Sequence, residues 1–322
     1  MRPRLVVACD LSRLNMERPA GAAVYAGYVL DLLGRSCEVE VVGPEERHRA
    51  QVVLSLDGRF RSGGGRRTVT AVLDLGHLFR ARGYGLKGWL GVHWRATRAI
   101  RSDHLLAPSA AVRLGLERYL MVAPNRITVL APLPGPRFRR PPRDQVEALR
   151  RRLRLPDRYF LFVGVRSRRK NLGLLAEAWR RASPRLPGVG LVLAGPGRGG
   201  VPGARDLGYV EADLLPPLLA GALAWLNPSH YEGCAIGALE AMACGTPPLV
   251  STTGAQPRAV GPSGLVLDPG DAAAWAEALV AVAEDGELRA GMARTALKAV
   301  ADLRRTPPDP EPLLAVLRGE PG

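Results

Sequence analysis

LAWLNPSHYEGCAIGALEAMACGTPPLVS, residues 223–251, is the stretch whose reading decides the fold. LAWLN (223–227) and PPLVS (247–251) are short apolar runs of strand character, and the Ala/Leu/Met-rich segment 237–244 between them reads as a helix. A strand, a helix and a second strand so closely spaced make a parallel βαβ unit, which buries its strands on both faces. Inside this unit Glu232 and Glu240 stand eight residues apart among small apolar neighbours. Carboxylates are seldom fully buried without a partner, so the pattern predicts that something meets them there.

The same alternation extends in both directions. Towards the carboxyl terminus, helical patterns cover 271–283 and 286–303; towards the amino terminus, YFLFVG (159–164) and GLVLAG (190–195) read as strands, with helices at 171–183 and 213–221. In the first half, LVVAC (5–9), VEVV (39–42), VVLSL (52–56), TVTAVL (68–73), HLLAP (104–108) and ITVLA (127–131) are strand-like, and helical patterns fall near 21–35, 88–102 and 110–121. Strands alternating with helices predict an α/β protein of two Rossmann-like, doubly wound domains facing a cleft, where open parallel sheets bind ligands at the carboxyl ends of their strands. The Pro- and Arg-rich segment 132–158 reads as the boundary, with a short helix inside it. Domains are therefore expected at 1–150 and 151–305, followed by a tail, 306–322, forming a helix that crosses back to the first domain.

With 322 residues, 47% of them hydrophobic, each half can bury a core. Cys9, Cys37, Cys234 and Cys244 have neither metal-ligand spacing nor the density of a disulfide scaffold, which points to reduced thiols and a cytoplasmic chain. No apolar run is long enough to span a membrane, and MRPRLVVACDLS reads as a first strand rather than a signal peptide. The net charge of +15 is the unusual bulk property: from Arg137 to Arg158 nine arginines face only Asp144, Glu147 and Asp157, and RFRSGGGRR (59–67) forms another cluster. Such charge suits an Arg-rich solvated face, anionic lipid or phosphorylated substrates. No zinc finger, aromatic RNA-binding signature or helix-turn-helix accompanies it, so no specific nucleic acid is expected.

Chemistry-bearing residues gather after two strands. FVGVRSRRKN (162–171) puts Gly164 at a strand-to-helix turn, with Arg166, Arg168, Arg169 and Lys170 beside it; a glycine that admits close backbone approach, next to cations and a helix start, suits phosphate oxygens. LAGPGRGG (193–200) is a second, weaker glycine-rich turn. Amides around Ala235 and Ile236 offer a second phosphate dock, with Glu232 and Glu240 at different depths as acceptors for sugar hydroxyls. The alternative, a general acid and base, usually requires two carboxylates that face each other across a reacting bond.

FVGVRSRRKNLGLLAEAW, LVLAGPG, the run from LGYVEADLL to PPLVS and GLVLDPGD, in this order and spacing, resemble the retaining glycosyltransferases of family 4, whose fold is GT-B. LVVACDLS, GAAVYAGYVLDLL, VTAVLDLGHL, HLLAPSAAVRLGL and RITVLAPLPGPRF resemble them more faintly. The resemblance implies transfer of a hexose from a GDP- or UDP-linked nucleotide diphosphate sugar to an envelope, lipid-linked or polysaccharide acceptor, with no metal and no further cofactor. It implies that Lys170 and a nearby arginine hold the diphosphate, that Glu240 binds the ribose and Glu232 the transferred sugar, and that small residues around the loop leave room for the diphosphate. Asp74 is placed on the acceptor side, Gly21 in the glycine-rich turn of the first domain, and the chain at the inner face of the membrane as a peripheral protein.

Several positions depart from the family pattern. Val165 follows Gly164 where members commonly carry arginine, leaving Arg166 or Arg169 as the substitute. Cys234-Ala235 stands where members read Phe-Gly, and Arg258 lies where a glutamate is common. Leu73 rather than histidine precedes Asp74; His77, three residues on, is the candidate to serve in its place, although a lone loop histidine is more often a surface residue. The first glycine turn shrinks to Gly21-Ala22-Ala23. These departures keep open a nucleotide-sugar-binding relative without activity, and an epimerase on the same fold is a further alternative.

Overall fold

A computed structural model describes residues 5–11, 14, 16, 21–35, 39–79, 85–197 and 199–320. Two compact units divide the chain: Met1–Pro132 with Pro307–Gly322, and Leu133–Thr306.

In the first unit the order is β1 (Leu5–Cys9), α1 (Ala22–Gly34), β2 (Val39–Val42), β3 (Val52–Ser55), β4 (Arg67–Ala71), α2 (Gly76–Phe79), α3 (Gly85–Ala99), β5 (His104–Ala107), α4 (Ala110–Leu120) and β6 (Ile127–Val129). All strand pairs are parallel, in the order β2-β1-β3-β4-β5-β6. Alternation of side chains sends Val7, Cys9, Leu54 and Val69 into a core with Tyr25, Val29 and Leu33 of α1 on one face. On the other face, Leu105 and Ala107 pack with Val112 and Leu116 of α4.

The second unit runs through α5 (Arg143–Arg152), β7 (Arg158–Val163), α6 (Leu172–Ala182), β8 (Val189–Ala194), β9 (Arg205–Asp206), α7 (Leu215–Ala220), β10 (Trp225–Asn227), α8 (Ile236–Ala243), β11 (Pro248–Ser251), α9 (Gln256–Val260), β12 (Leu265–Leu267), α10 (Ala272–Glu284) and α11 (Gly286–Arg305). Its sheet order is β12-β11-β10-β7-β8-β9, again all parallel. β7 is buried on both faces: Tyr159 and Leu161 join Leu218 and Met242, while Phe160 and Phe162 join Trp179 and Trp275. Asp271 and Asp285 cap α10 and α11 by accepting backbone N–H bonds from Ala273, Ala274 and Leu288.

The division falls at 132/133, ahead of the 150/151 boundary read from the sequence. The short helix expected inside the charged segment is α5, 143–152, whose Leu149 is buried in the second unit's core while Arg151 and Arg152 stay exposed. α12 (Glu311–Arg318) belongs to the first unit, where Leu313, Leu314, Val316 and Leu317 enter the β1 core. Cys9, Cys234 and Cys244 carry free thiols, and Cys37 lies outside the described residues. Among the described residues no helix is long and apolar enough to cross a membrane.

Candidate functional site

Two loops at the carboxyl ends of adjacent strands build the site. The first leaves β7 at Gly164 and turns back into α6; the second leaves β10 at Asn227 and enters α8. Asn171 joins them. It adopts the left-handed conformation (φ +54°), and its Nδ2 donates to Pro228 O at 3.1 Å and Pro269 O at 2.9 Å. His230 N–H donates to Arg169 O at 2.8 Å, closing a second bridge between the loops.

Within this frame Lys170 Nζ lies 2.7 Å from Glu232 Oε1, and Arg169 Nη1 lies 2.8 Å from the same oxygen. Arg169 also donates to Tyr231 O at 2.7 Å. Glu232 is 9% exposed. Burial by itself would raise its pKa, but the Arg169 and Lys170 charges, with hydrogen bonds from Lys170 and Ser229, outweigh that effect and hold it at about 2. Backbone packing fixes its position: Ala255 N–H donates to Glu232 O at 2.8 Å, and a Cβ on Gly254 (φ +65°) would stand 2.1 Å from that oxygen.

Glu240, one turn into α8, has the opposite environment. Its half-buried carboxylate makes no hydrogen bond or ion pair among the described residues. Desolvation pushes its pKa up to about 8, with Arg137 only partly opposing. Of the two carboxylates expected to meet a partner, Glu232 meets Lys170 and Arg169, while Glu240 meets none among the described residues.

Arg166 is not brought to Glu232. Its guanidinium grips the Asp206 carboxylate on β9, with Nη1 2.6 Å from Oδ2, and donates to Gly199 O at 3.0 Å and Gly195 O at 3.2 Å. It braces the second glycine turn. That turn must be glycine, because a Cβ on Gly195 would lie 2.2 Å from Gly164 O. Of the two candidates left open by the sequence, Arg169 is the arginine that reaches Glu232.

The loop before α8, where a phosphate dock is expected around Ala235 and Ile236, is closely packed. The Ile236 N–H bonds to Cys234, whose thiol burial pushes up to about 12. Smallness at Gly237 serves packing, since a Cβ there would meet Trp225 Cζ2 at 2.9 Å, and Ala235 and Ala238 are buried in the adjoining core.

In the first unit Asp74 Oδ1 accepts from Gly76 N–H at 2.7 Å, a turn that opens α2. His77 is not a surface loop residue: it lies in α2, 1% exposed, with its ring edge-on to His93 at 5.6 Å. Burial, then the neighbouring His93 and Arg95 charges, lower its pKa to about 4. Gly21 (φ +53°) starts α1, and its carbonyl accepts from Tyr25 N–H at 3.2 Å; a Cβ there would meet nothing, so its conformation rather than space favours glycine.

Comparison with known proteins follows the same division. Residues 157–285 match the family model described as glycosyl transferases group 1. The chain is 37% identical to O-antigen chain mannosyltransferase B of Escherichia coli over 130 residues, which is 35% of this chain and 33% of that protein. It is 35% identical over 180 residues to D-inositol 3-phosphate glycosyltransferase of Actinosynnema mirum, 48% of this chain and 43% of the relative. The match thus spans less than half the length of either relative. Among solved structures, WaaG, a glycosyltransferase involved in lipopolysaccharide biosynthesis, superposes with a TM-score of 0.74 at 16% identity, over 98% of this chain and 100% of WaaG. Anabaena HepE in complex with UDP-glucose gives a TM-score of 0.74 at 15% identity, over 93% and 95% of the two chains. The two parallel six-stranded sheets are those of the GT-B fold.

Proposed function

We propose that this chain, whose residues 157–285 form a glycosyl transferases group 1 domain, transfers a hexose from a GDP- or UDP-linked donor to an envelope, lipid-linked or polysaccharide acceptor, with retention of configuration and without a metal. The observation that carries the proposal is the buried Glu232 held by Lys170 and Arg169, with Glu240, whose carboxylate has no partner among the described residues, eight residues on. Lys170 and Arg169 are the fixed cations that meet the donor's diphosphate and stabilise it as it leaves. Glu240 accepts from the ribose hydroxyls. Glu232, released as the cations turn to phosphate, contacts the transferred sugar. HepE's complex with UDP-glucose on the same fold supports a nucleotide-sugar donor. Mixing the chain with GDP- and UDP-hexoses and a panel of lipid and glycan acceptors, and separating products chromatographically, tests the proposal. Donor consumption matched by a glycosylated acceptor is expected; no turnover of any donor would refute it.

A second reading, a nucleotide-sugar-binding relative without activity, has its own support in the first unit. There Asp74 is engaged as a turn residue, Leu73 precedes it, and His77 is buried. Donor binding without turnover across the acceptor panel is the outcome that would select it.

Peripheral contact with the inner face of a membrane is part of the proposal. α3 exposes Trp94 (59%) and Leu90 (53%), the Arg98 guanidinium lies 4.7 Å over the Trp94 ring, and the helix contains no acidic residue. Exposed aromatic and basic groups on one helix suit an anionic interface. Co-sedimentation with vesicles rich in phosphatidylglycerol, strong at low salt and weakened in Trp94→Ala, is expected; equal recovery with neutral vesicles would oppose it.

A further inference from the structure

The first unit's sheet has its own ligand-binding geography, independent of the glutamate site. Its order, β2-β1-β3, sends the chain from β1 to one side and then to the other, so the topological switch point lies between β1 and β3. Crevices outside the carboxyl ends of strands at such points are where open α/β sheets take ligands. A hollow of about 80 Å³ opens there, lined by Ala8, Asp10, Pro44, Arg47, Val53 and Arg61. Its floor is the pair Ala8–Val53, in register on neighbouring strands, and the small side chain of Ala8 leaves the space.

The charges around it are unequal in their commitments. Arg61 is already matched: it donates to Asp57 Oδ1 at 2.7 Å and Oδ2 at 3.0 Å, and its Nε donates to Asp10 Oδ2 at 3.2 Å. The guanidinium of Arg47, half-buried on the turn after β2, makes no ion pair or hydrogen bond with any described residue. An unmatched guanidinium fork facing a small hollow is suited to a carboxylate or phosphate. The acidic Asp10 on the same wall suits a hydroxyl donor.

We propose that this hollow is a subsite for an anionic polyol, with Arg47 holding a phosphate or carboxylate group and Asp10 accepting from a neighbouring hydroxyl. The volume admits one such group rather than a whole hexose. If the chain is a glycosyltransferase, as proposed above, the subsite selects an acceptor bearing negative charge; the anion-binding claim itself does not depend on that reading.

The test is calorimetric titration of the full chain with glycerol 3-phosphate and with glycerol. One-to-one binding of glycerol 3-phosphate alone is expected, weakened at least tenfold in Arg47→Gln and in Ala8→Leu, which fills the hollow without changing charge. Lys170→Ala should bind it as the wild type does. If Ala8→Leu does not fold, Arg47→Gln decides. Absence of binding in the wild type, survival of full affinity in Arg47→Gln, or loss in Lys170→Ala would overturn the proposal. Vesicles of phosphatidylglycerol that displace glycerol 3-phosphate from the wild type would place the anion on a lipid headgroup, and their failure to do so would place it on a soluble molecule; the subsite stands in either case. Titration of the same proteins with UDP and GDP separates the two proposals. Glycerol 3-phosphate binding that depends on Arg47, in a chain that binds neither nucleotide, would sink the donor reading and leave the subsite intact.

Discussion

Glu232 and Glu240 belong to one short segment, yet their surroundings move them in opposite directions. Glu232, on the loop, is held at about pKa 2 by Lys170 and Arg169; Glu240, one turn into α8, is raised to about 8 by a dehydrated position with no donor. The difference teaches that the site is half satisfied. One carboxylate keeps two cations in place until an anion competes for them, and the other needs hydrogen-bond donors that the described residues do not provide.

The largest effect is expected from Glu232→Ala. Removing the anion leaves Lys170 and Arg169 facing each other in a buried site, and stability should fall by about 3 kcal/mol together with loss of transfer; denaturant unfolding measures the first. Unchanged stability would mean that the triad is not the anchor its geometry indicates. In the wild type the Glu232 contribution is present above pH 4.5 and lost as pH falls towards 2, because the folded-state pKa is the depressed one.

Lys170→Ala should come next. Arg169 still neutralises Glu232, so the fold is kept, but transfer should drop by about 10²–10³-fold, as for the loss of one preorganised donor to developing charge. Steady-state rates of donor consumption check it, and a rate within threefold of wild type would break the assignment of Lys170 to the diphosphate.

A smaller effect sharpens the contrast between the two units. Asp74→Ala removes the turn bond to Gly76 and should destabilise by about 1 kcal/mol. If Asp74 acts only in that turn, the donor consumption rate stays near wild type once the protein is folded; a hundredfold drop would give Asp74 the acceptor-side role implied by the family resemblance. Smaller still is Arg166→Lys, which keeps charge but loses the fork on Asp206 and the carbonyls of Gly195 and Gly199. A few degrees' loss in melting temperature with nucleotide affinity retained is expected. A large loss of affinity would show that Arg166 leaves Asp206 to bind ligand.

Much of this was legible in the sequence, for reasons that particular residues make plain. β7 and β8 show as apolar runs because both faces are buried, and the end of α8 shows at Cys244-Gly245 (Gly245 φ +78°). β9 and β12 did not show, since two or three residues of edge strand carry too little periodicity. The boundary segment 132–158 showed through its prolines and arginines, with the short helix α5 inside it, but local composition did not reveal that one buried Leu149 docks that helix on the second unit, so that the division falls at 132/133. At the site, the cations and the glutamates were legible as a set, but their pairing was not. Arg166 is turned away by Asp206, forty residues distant, and Arg169 is turned inward by the carbonyl of Tyr231; local pattern carries neither relation.

The central claim is that Glu240 awaits the hydroxyls of a bound nucleotide's ribose. Hydroxyls donating to that carboxylate favour its charged form, so binding near pH 6.5, below its pKa of about 8, must expel a proton. Titrating UDP and GDP calorimetrically at that pH, in two buffers of different ionisation enthalpy, counts the proton. For whichever nucleotide binds, the account predicts close to one more proton released by the wild type than by Glu240→Gln, the nucleotide's own terminal phosphate titrating alike in both, with affinity rising more steeply from pH 6 to 8 in the wild type. Equal proton release in both proteins, or no binding of either nucleotide, would contradict it.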